Sequence, residues 1–109
     1  MKNDQTYLLH ILEAIDKIQQ YLGEMSFEEF ADSNMIVDAV VRELEIIGEA
    51  SRNLSDDFRR QHLNVPLRDA TDMRNILIHE YFDVNKKVVW DTCKNNLPQL
   101  RDFITELLD

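Results

Sequence analysis

The chain has 109 residues, a formal net charge of −9, two glycines, two prolines and one cysteine. That length suits one domain, read here as residues 1–109, and the scarcity of turn residues argues against a sheet protein. A lone cysteine excludes an internal disulfide and any CxxC metal site, and the acidity disfavours broad non-specific binding to nucleic acid while leaving room for a protein partner with a basic face.

Helical periodicity begins near Asp4 and runs to Leu22, with Leu8, Leu12, Ile15, Ile18 and Leu22 on one face and Leu9 and Ile11 widening the stripe. Gly23 stands where a helix stops. Ser26 followed by Glu29 has the spacing of a capping box and predicts a short helix over SFEEFADS. A long helix is expected from Asn34 to about Leu54, with Val37, Val40, Val41, Leu44, Ile47 and Ser51 inward. Gly48 within it suggests the close approach of another helix. Ser55 reads as the N-cap of a brief turn, SDDFRRQH.

Pro66 opens the next predicted helix, which carries LRDATDMRNILIHEY and ends before Asp83 and Asn85. The last runs from Lys86 to Leu108, with Val89, Trp90, Cys93, Leu97, Leu100, Ile104 and Leu107 inward and Pro98 kinking or dividing it. The whole is an all-α, antiparallel four-helix bundle with short additional helices. No apolar run approaches the length of a membrane span and no cleavable leader is evident, so a cytoplasmic protein without a membrane partner is expected.

RNILIHEY, residues 74–81, sets polar groups among large aliphatic ones. On a helical wheel Arg74 falls on the same side as Leu67, Ala70, Leu77, Ile78 and Tyr81, where an isolated charge is costly. Asn75 and His79, four apart, share a neighbouring face, while Ile76 points nearly opposite. Apolar residues around so much of one helix suggest cover on two sides, by the bundle and by a second copy of the chain. A structural role is open: Arg74 pairs with Glu45 or Glu49, His79 sits at a helix end and Tyr81 is half-buried. So is a chemical one, in which His79 moves a proton, Arg74 grips a phosphodiester and Asn75 orients one of them. These parts suffice to cleave RNA without metal or cofactor, and two copies across a seam would supply base and acid together. Glu45 and Glu49 more naturally brace an arginine or face solvent than bind metal. His10 and His62 match no ligand spacing and read as surface residues, and Cys93 on an apolar stripe reads as core.

The string R-N-x-x-x-H-x-Y, filled by Arg74, Asn75, His79 and Tyr81, resembles the motif of HEPN-domain toxins of the HepT type. LEIIGEA at 44–50, MRNILIHEYFDVN at 73–85 and the VVW…LPQL spacing extend the resemblance over most of the chain. The chain departs from it at Leu67, where relatives often carry tryptophan, and at Thr71 and Asp72, where they often carry glycine. The resemblance implies a HEPN-like bundle that forms a homodimer with the motif at its interface. It also implies a metal-independent ribonuclease with Arg74 and His79 as catalytic pair and RNA as substrate. It further implies an MntA-type nucleotidyltransferase partner acting as antitoxin by transferring AMP to Tyr81. A non-catalytic subunit that binds substrate for a nucleotidyltransferase is the alternative, and a purely structural helical dimer is a third reading.

Overall fold

A computed structural model of the chain describes residues 2–63 and 85–109. Every regular element among them is helical: α1 (Lys2–Leu22), α2 (Phe27–Asp32), α3 (Asn34–Arg52), α4 (Asp56–Gln61), α5 (Lys86–Asp91), a π-helical turn (Thr92–Asn96) and α6 (Leu97–Leu108). The helix expected from Pro66 through Tyr81, with Leu67, Ala70, Arg74, Asn75, Ile76, Leu77, Ile78 and His79, lies outside the described residues. The all-α fold expected from the periodicity is observed in the elements described.

The boundaries follow from local chemistry. Gly23 ends α1 with a positive φ of 50°, and its N–H donates to the Gln19 carbonyl at 2.9 Å. Only glycine holds that left-handed conformation without strain. Ser26 and Glu29 form the anticipated capping box: the Ser26 hydroxyl accepts from the Glu29 N–H at 3.1 Å, and the Glu29 carboxylate accepts from the Ser26 N–H at 2.9 Å. Ser33 closes α2 and caps α3, accepting from the Ile36 N–H. Asn85 caps α5 by accepting from the N–H groups of Lys87 and Val88.

Pro98 divides the last helical run as expected, but the disturbance is displaced toward the N-terminus. A proline ring clashes with the carbonyl four residues back, here that of Lys94. The turn containing Lys94 is widened to π geometry, with the Leu97 N–H bonded to the Thr92 carbonyl. A π turn lets the helix absorb the missing donor and continue as α6.

α1 packs most extensively on α3 and also on α6, and α2 packs on α3 and α5. Residues 0–7% exposed from all the main helices form one core, among them Leu8, Ile11, Ile15, Ile18, Leu22, Phe30, Val37, Val40, Leu44, Ile47, Phe58, Val89, Leu100 and Ile104. Val41, Trp90 and Leu107, also expected inward, are partly buried at its edge. Leu9 is a correction, since it is 49% exposed. It lies roughly 160° around α1 from the middle of the buried face, and Ala14 widens that face instead.

The antiparallel arrangement of α1 and α3 is locked by a long-range polar contact. The start of α1 reaches the end of α3, where the Ser55 N–H and hydroxyl donate to the two Asp4 carboxylate oxygens at 2.8 and 2.6 Å. The same hydroxyl accepts from the Phe58 N–H at 3.0 Å, so Ser55 caps α4 as predicted while satisfying a buried carboxylate. Burial alone would raise the Asp4 pKa, but the hydrogen bonds from the Ser55 side chain and backbone lead the effects that bring it below its ordinary 3.8. A carboxyl group with a depressed folded-state pKa stabilises the fold above its ordinary value, and this contribution disappears as pH falls through the folded-state value. Ser55→Ala is expected to cost about 1–3 kcal/mol in urea unfolding at neutral pH, combining a lost cap with a buried acceptor left short of a donor. Asp4→Asn should flatten the decline in stability below pH 4. An unchanged acid limb in that variant would remove the role given to Asp4.

Candidate active site

The motif-bearing residues Arg74, Asn75, His79 and Tyr81 all fall outside the described residues. What the structure does establish is how the two ends of the intervening chain are held. On the upstream side, His62 lies against the Phe58 ring with centroids 4.5 Å apart and edge-on to Phe103 at 6.3 Å. It is therefore half-buried between α4 and α6 rather than the plain surface residue expected. On the downstream side, the Lys86 ammonium donates to the Ala31 carbonyl of α2 at 2.8 Å. Trp90 packs against Phe27 and Phe30, with centroids 5.9 and 5.4 Å apart. Thus the described chain is held by aromatic contacts on each side of the motif, at His62 before it and at Trp90 after it.

LEIIGEA occupies the C-terminal half of α3. Ile47, Gly48 and Ala50 are buried, whereas Glu45 and Glu49 face outward. Each lies at the 4.0 Å limit of an ion pair with an arginine of its own helix, Glu45 with Arg42 and Glu49 with Arg52. Exposed pairs of this kind contribute little stability. Together with Tyr7, His10, Arg42, Ile46, Ala50 and Asn53, the two carboxylates line a cavity of about 310 Å³ on the outer seam of α1 and α3. His10 is exposed there, as expected, with its ring edge-on to Tyr7 at 6.1 Å.

One carboxylate was passed over in the sequence. Glu43 is only 7% exposed. The signal was available: it lies roughly 60–70° from the middle of the Val40–Leu44–Ile47 stripe, at the edge of the apolar face instead of opposite it.

Cys93 is buried in the core, where desolvation raises its thiol pKa to about 12 despite the nearby Lys94 charge. It stays protonated near neutrality and is a packing residue, not a nucleophile. Among the described residues, no three His, Cys, Asp or Glu side chains are grouped to hold a metal ion, and no helix is long and apolar enough to cross a membrane.

Comparison with known proteins shows the family to which the chain belongs. The family described as ribonuclease HepT-like matches residues 11–107, a span that includes LEIIGEA and the whole of RNILIHEY. A Thermococcus cleftensis protein named as a probable ribonuclease HepT is 43% identical over 106 residues, covering 97% of this chain and 96% of that protein. A protein of Caldanaerobacter subterraneus subsp. tengcongensis named as a candidate RNase is 41% identical over 108 residues, 99% of this chain and 96% of that one. A Methanocaldococcus jannaschii protein, named as a gamma-glutamylcyclotransferase and candidate RNase, is 37% identical over 108 residues. This chain covers 49% of its length. No solved structure matches the chain significantly. With a family match across nearly its full length and relatives above 40% identity aligned end to end, the chain belongs to the HepT-like ribonuclease family.

Proposed function

We propose that the chain is a metal-independent endoribonuclease, the toxin half of a pair with an MntA-type nucleotidyltransferase. The observation that carries this reading is the family match over residues 11–107, which spans the string Arg74, Asn75, His79, Tyr81, with relatives named as a candidate RNase and a probable ribonuclease HepT. The chemistry of those side chains agrees with it. One His79 takes the proton from a ribose 2′-hydroxyl, and the 2′-oxygen attacks the adjacent phosphorus. Arg74 offers a planar fork of donors to the non-bridging oxygens as charge develops there. The bond to the 5′-oxygen breaks, and that oxygen takes a proton from the His79 of a second copy, leaving a 2′,3′-cyclic phosphate. Asn75 supports the imidazole or a phosphate oxygen. AMP transferred from ATP to the Tyr81 hydroxyl, with release of pyrophosphate, places a phosphate close to Arg74 and competes with RNA for it.

The direct test is incubation of the purified chain, confirmed unmodified at Tyr81 by mass spectrometry, with single-stranded RNA in excess chelator. Cleavage yielding cyclic-phosphate ends is expected. Complete inactivity of this material with intact RNA would overturn the nuclease assignment and favour a substrate-binding subunit of the transferase.

A further inference from the structure

The chain is acidic, but its charge is unevenly spread. The run KKVVWDTCKNN, residues 86–96, carries Lys86, Lys87 and Lys94 against Asp91, an excess of two positive charges in a chain of net charge −9. Lys87, Trp90, Asp91 and Lys94 recur at three- and four-residue steps and share one face. Two ammonium groups of that face lie over aromatic rings: Lys94 is 4.8 Å from the centre of the Trp90 ring, and Lys87 is 5.0 Å from that of Phe27. The one carboxylate of the face, Asp91, is paired with Lys87 at 3.3 Å. α2 turns Phe27, Phe30 and Ala31 toward this run, and its Glu28, Glu29 and Asp32 lie on other sides of that helix. Lys17 and every later basic side chain among the described residues lies within 4.0 Å of a carboxylate or donates to a backbone carbonyl, with the exception of Lys94. Lys94 is exposed, and its ammonium meets only the ring beneath it among the described residues.

We propose that Lys94, held over Trp90, is a phosphate-binding residue for a single strand of RNA, outside the motif and on the surface formed by α2, α5 and the π turn. This rests on the ribonuclease reading for the identity of the strand. The ring restrains a flexible side chain without using its N–H donors on a protein oxygen, so part of the ordering cost of gripping a phosphate is already met. Lysine beside exposed aromatic surface is the combination that receives single strands without regard to sequence. Lys87 follows Tyr81 by six residues, so their α-carbons are at most about 22 Å apart, the length of roughly six phosphates of a stacked strand. One strand therefore reaches both the motif and this surface.

The test is a titration of the full chain with a single-stranded RNA dodecamer of mixed sequence bearing 2′-O-methyl groups, which lacks the attacking hydroxyl and stays intact. Affinity is read from the anisotropy of a dye on the RNA. Contact at the surface is read from the fluorescence of Trp90, the single tryptophan of the chain. Saturable quenching of Trp90 is expected. Lys94→Gln should weaken binding about fivefold at roughly 0.1 M salt and match the parent near about 1 M. It should also lower the slope of log affinity against log salt by about 0.7, the share of one phosphate on a single strand. Lys94→Arg should restore both. With cleavable RNA, Lys94→Gln should raise KM by a similar factor and leave kcat unchanged. Because Lys94 is exposed, these variants should melt with the parent. No saturable binding by the parent would overturn the proposal, as would parental affinity and salt slope in Lys94→Gln. Equal quenching by an acidic peptide of the same charge would overturn it in favour of a protein partner. RNA cleavage with unchanged affinity in Lys94→Gln removes this assignment alone, whereas Lys94-dependent binding without cleavage removes only the nuclease reading.

Discussion

RNA cleavage by the His79→Ala chain is expected to fall by about a hundred- to ten-thousand-fold, the usual worth of a positioned acid or base. Expression of this variant without the partner should then no longer inhibit growth. The informative experiment uses mixed dimers of one parental and one His79→Ala copy. If base and acid come from the two copies, removing one imidazole disables one of the two proton transfers, and the mixed dimer should be nearly as slow as the double variant. If each copy held a complete site, the mixed dimer would keep half the parental rate, and that result would sink the composite arrangement. Arg74→Ala should be slow as well, and Arg74→Lys intermediate, because lysine restores the charge without the two-pronged geometry. Tyr81→Phe should retain cleavage while abolishing adenylylation. A folded His79→Ala protein that cuts RNA at the parental rate would end the assignment.

Much of the bundle was readable because its signals are local. Caps at Ser26 and Ser55, the stop at Gly23 and the stripes of α1, α3 and the last helical run each follow from spacing within a few residues. What spacing misses is pairing across the chain. Nothing in the neighbourhood of Asp4 announces that its carboxylate receives two hydrogen bonds from Ser55, 51 residues later. Nor does the sequence around Pro98 say whether the helix kinks, breaks or widens, since each of these relieves the clash with the carbonyl four residues back; here the helix widens into a π turn. Leu9 was misplaced because an apolar residue next to a stripe was assumed to belong to it, whereas its angle puts it on the far side. For the site the situation is reversed. Arg74, Asn75, His79 and Tyr81 were legible as a motif, while the described structure contributes the anchor points on either side of them: Phe58, His62 and Phe103 before, Ala31, Lys86 and Trp90 after.

Those anchors single out the substitution with the largest expected effect on stability. Phe30 belongs to a six-residue helix that would not persist by itself in water. Its ring is 0% exposed, packs in the core and lies 5.4 Å from the Trp90 ring. Phe30→Ala removes that ring and leaves a void walled by two other elements, which cannot both collapse into it. The expected loss is about 3–5 kcal/mol, a large part of the roughly 5–15 kcal/mol available to a domain of this kind. It should appear as a fall of roughly 2 M in the urea midpoint. Phe30→Leu, which keeps most of the volume, should cost less than about 1.5 kcal/mol. Met35→Ser, at a side chain 80% exposed on the adjoining helix start, should change stability by no more than about 0.5 kcal/mol. A double-mutant cycle with Trp90→Leu should return a coupling of about 0.5–1.5 kcal/mol for the ring pair. Because α2 also accepts the Lys86 hydrogen bond just after the motif-bearing segment, Phe30→Ala should weaken RNA cleavage even at temperatures where the protein remains folded. A Phe30→Ala loss below about 1 kcal/mol would mean that α2 is peripheral, and that the downstream anchor rests on Lys86 and Asn85 without the aromatic cluster.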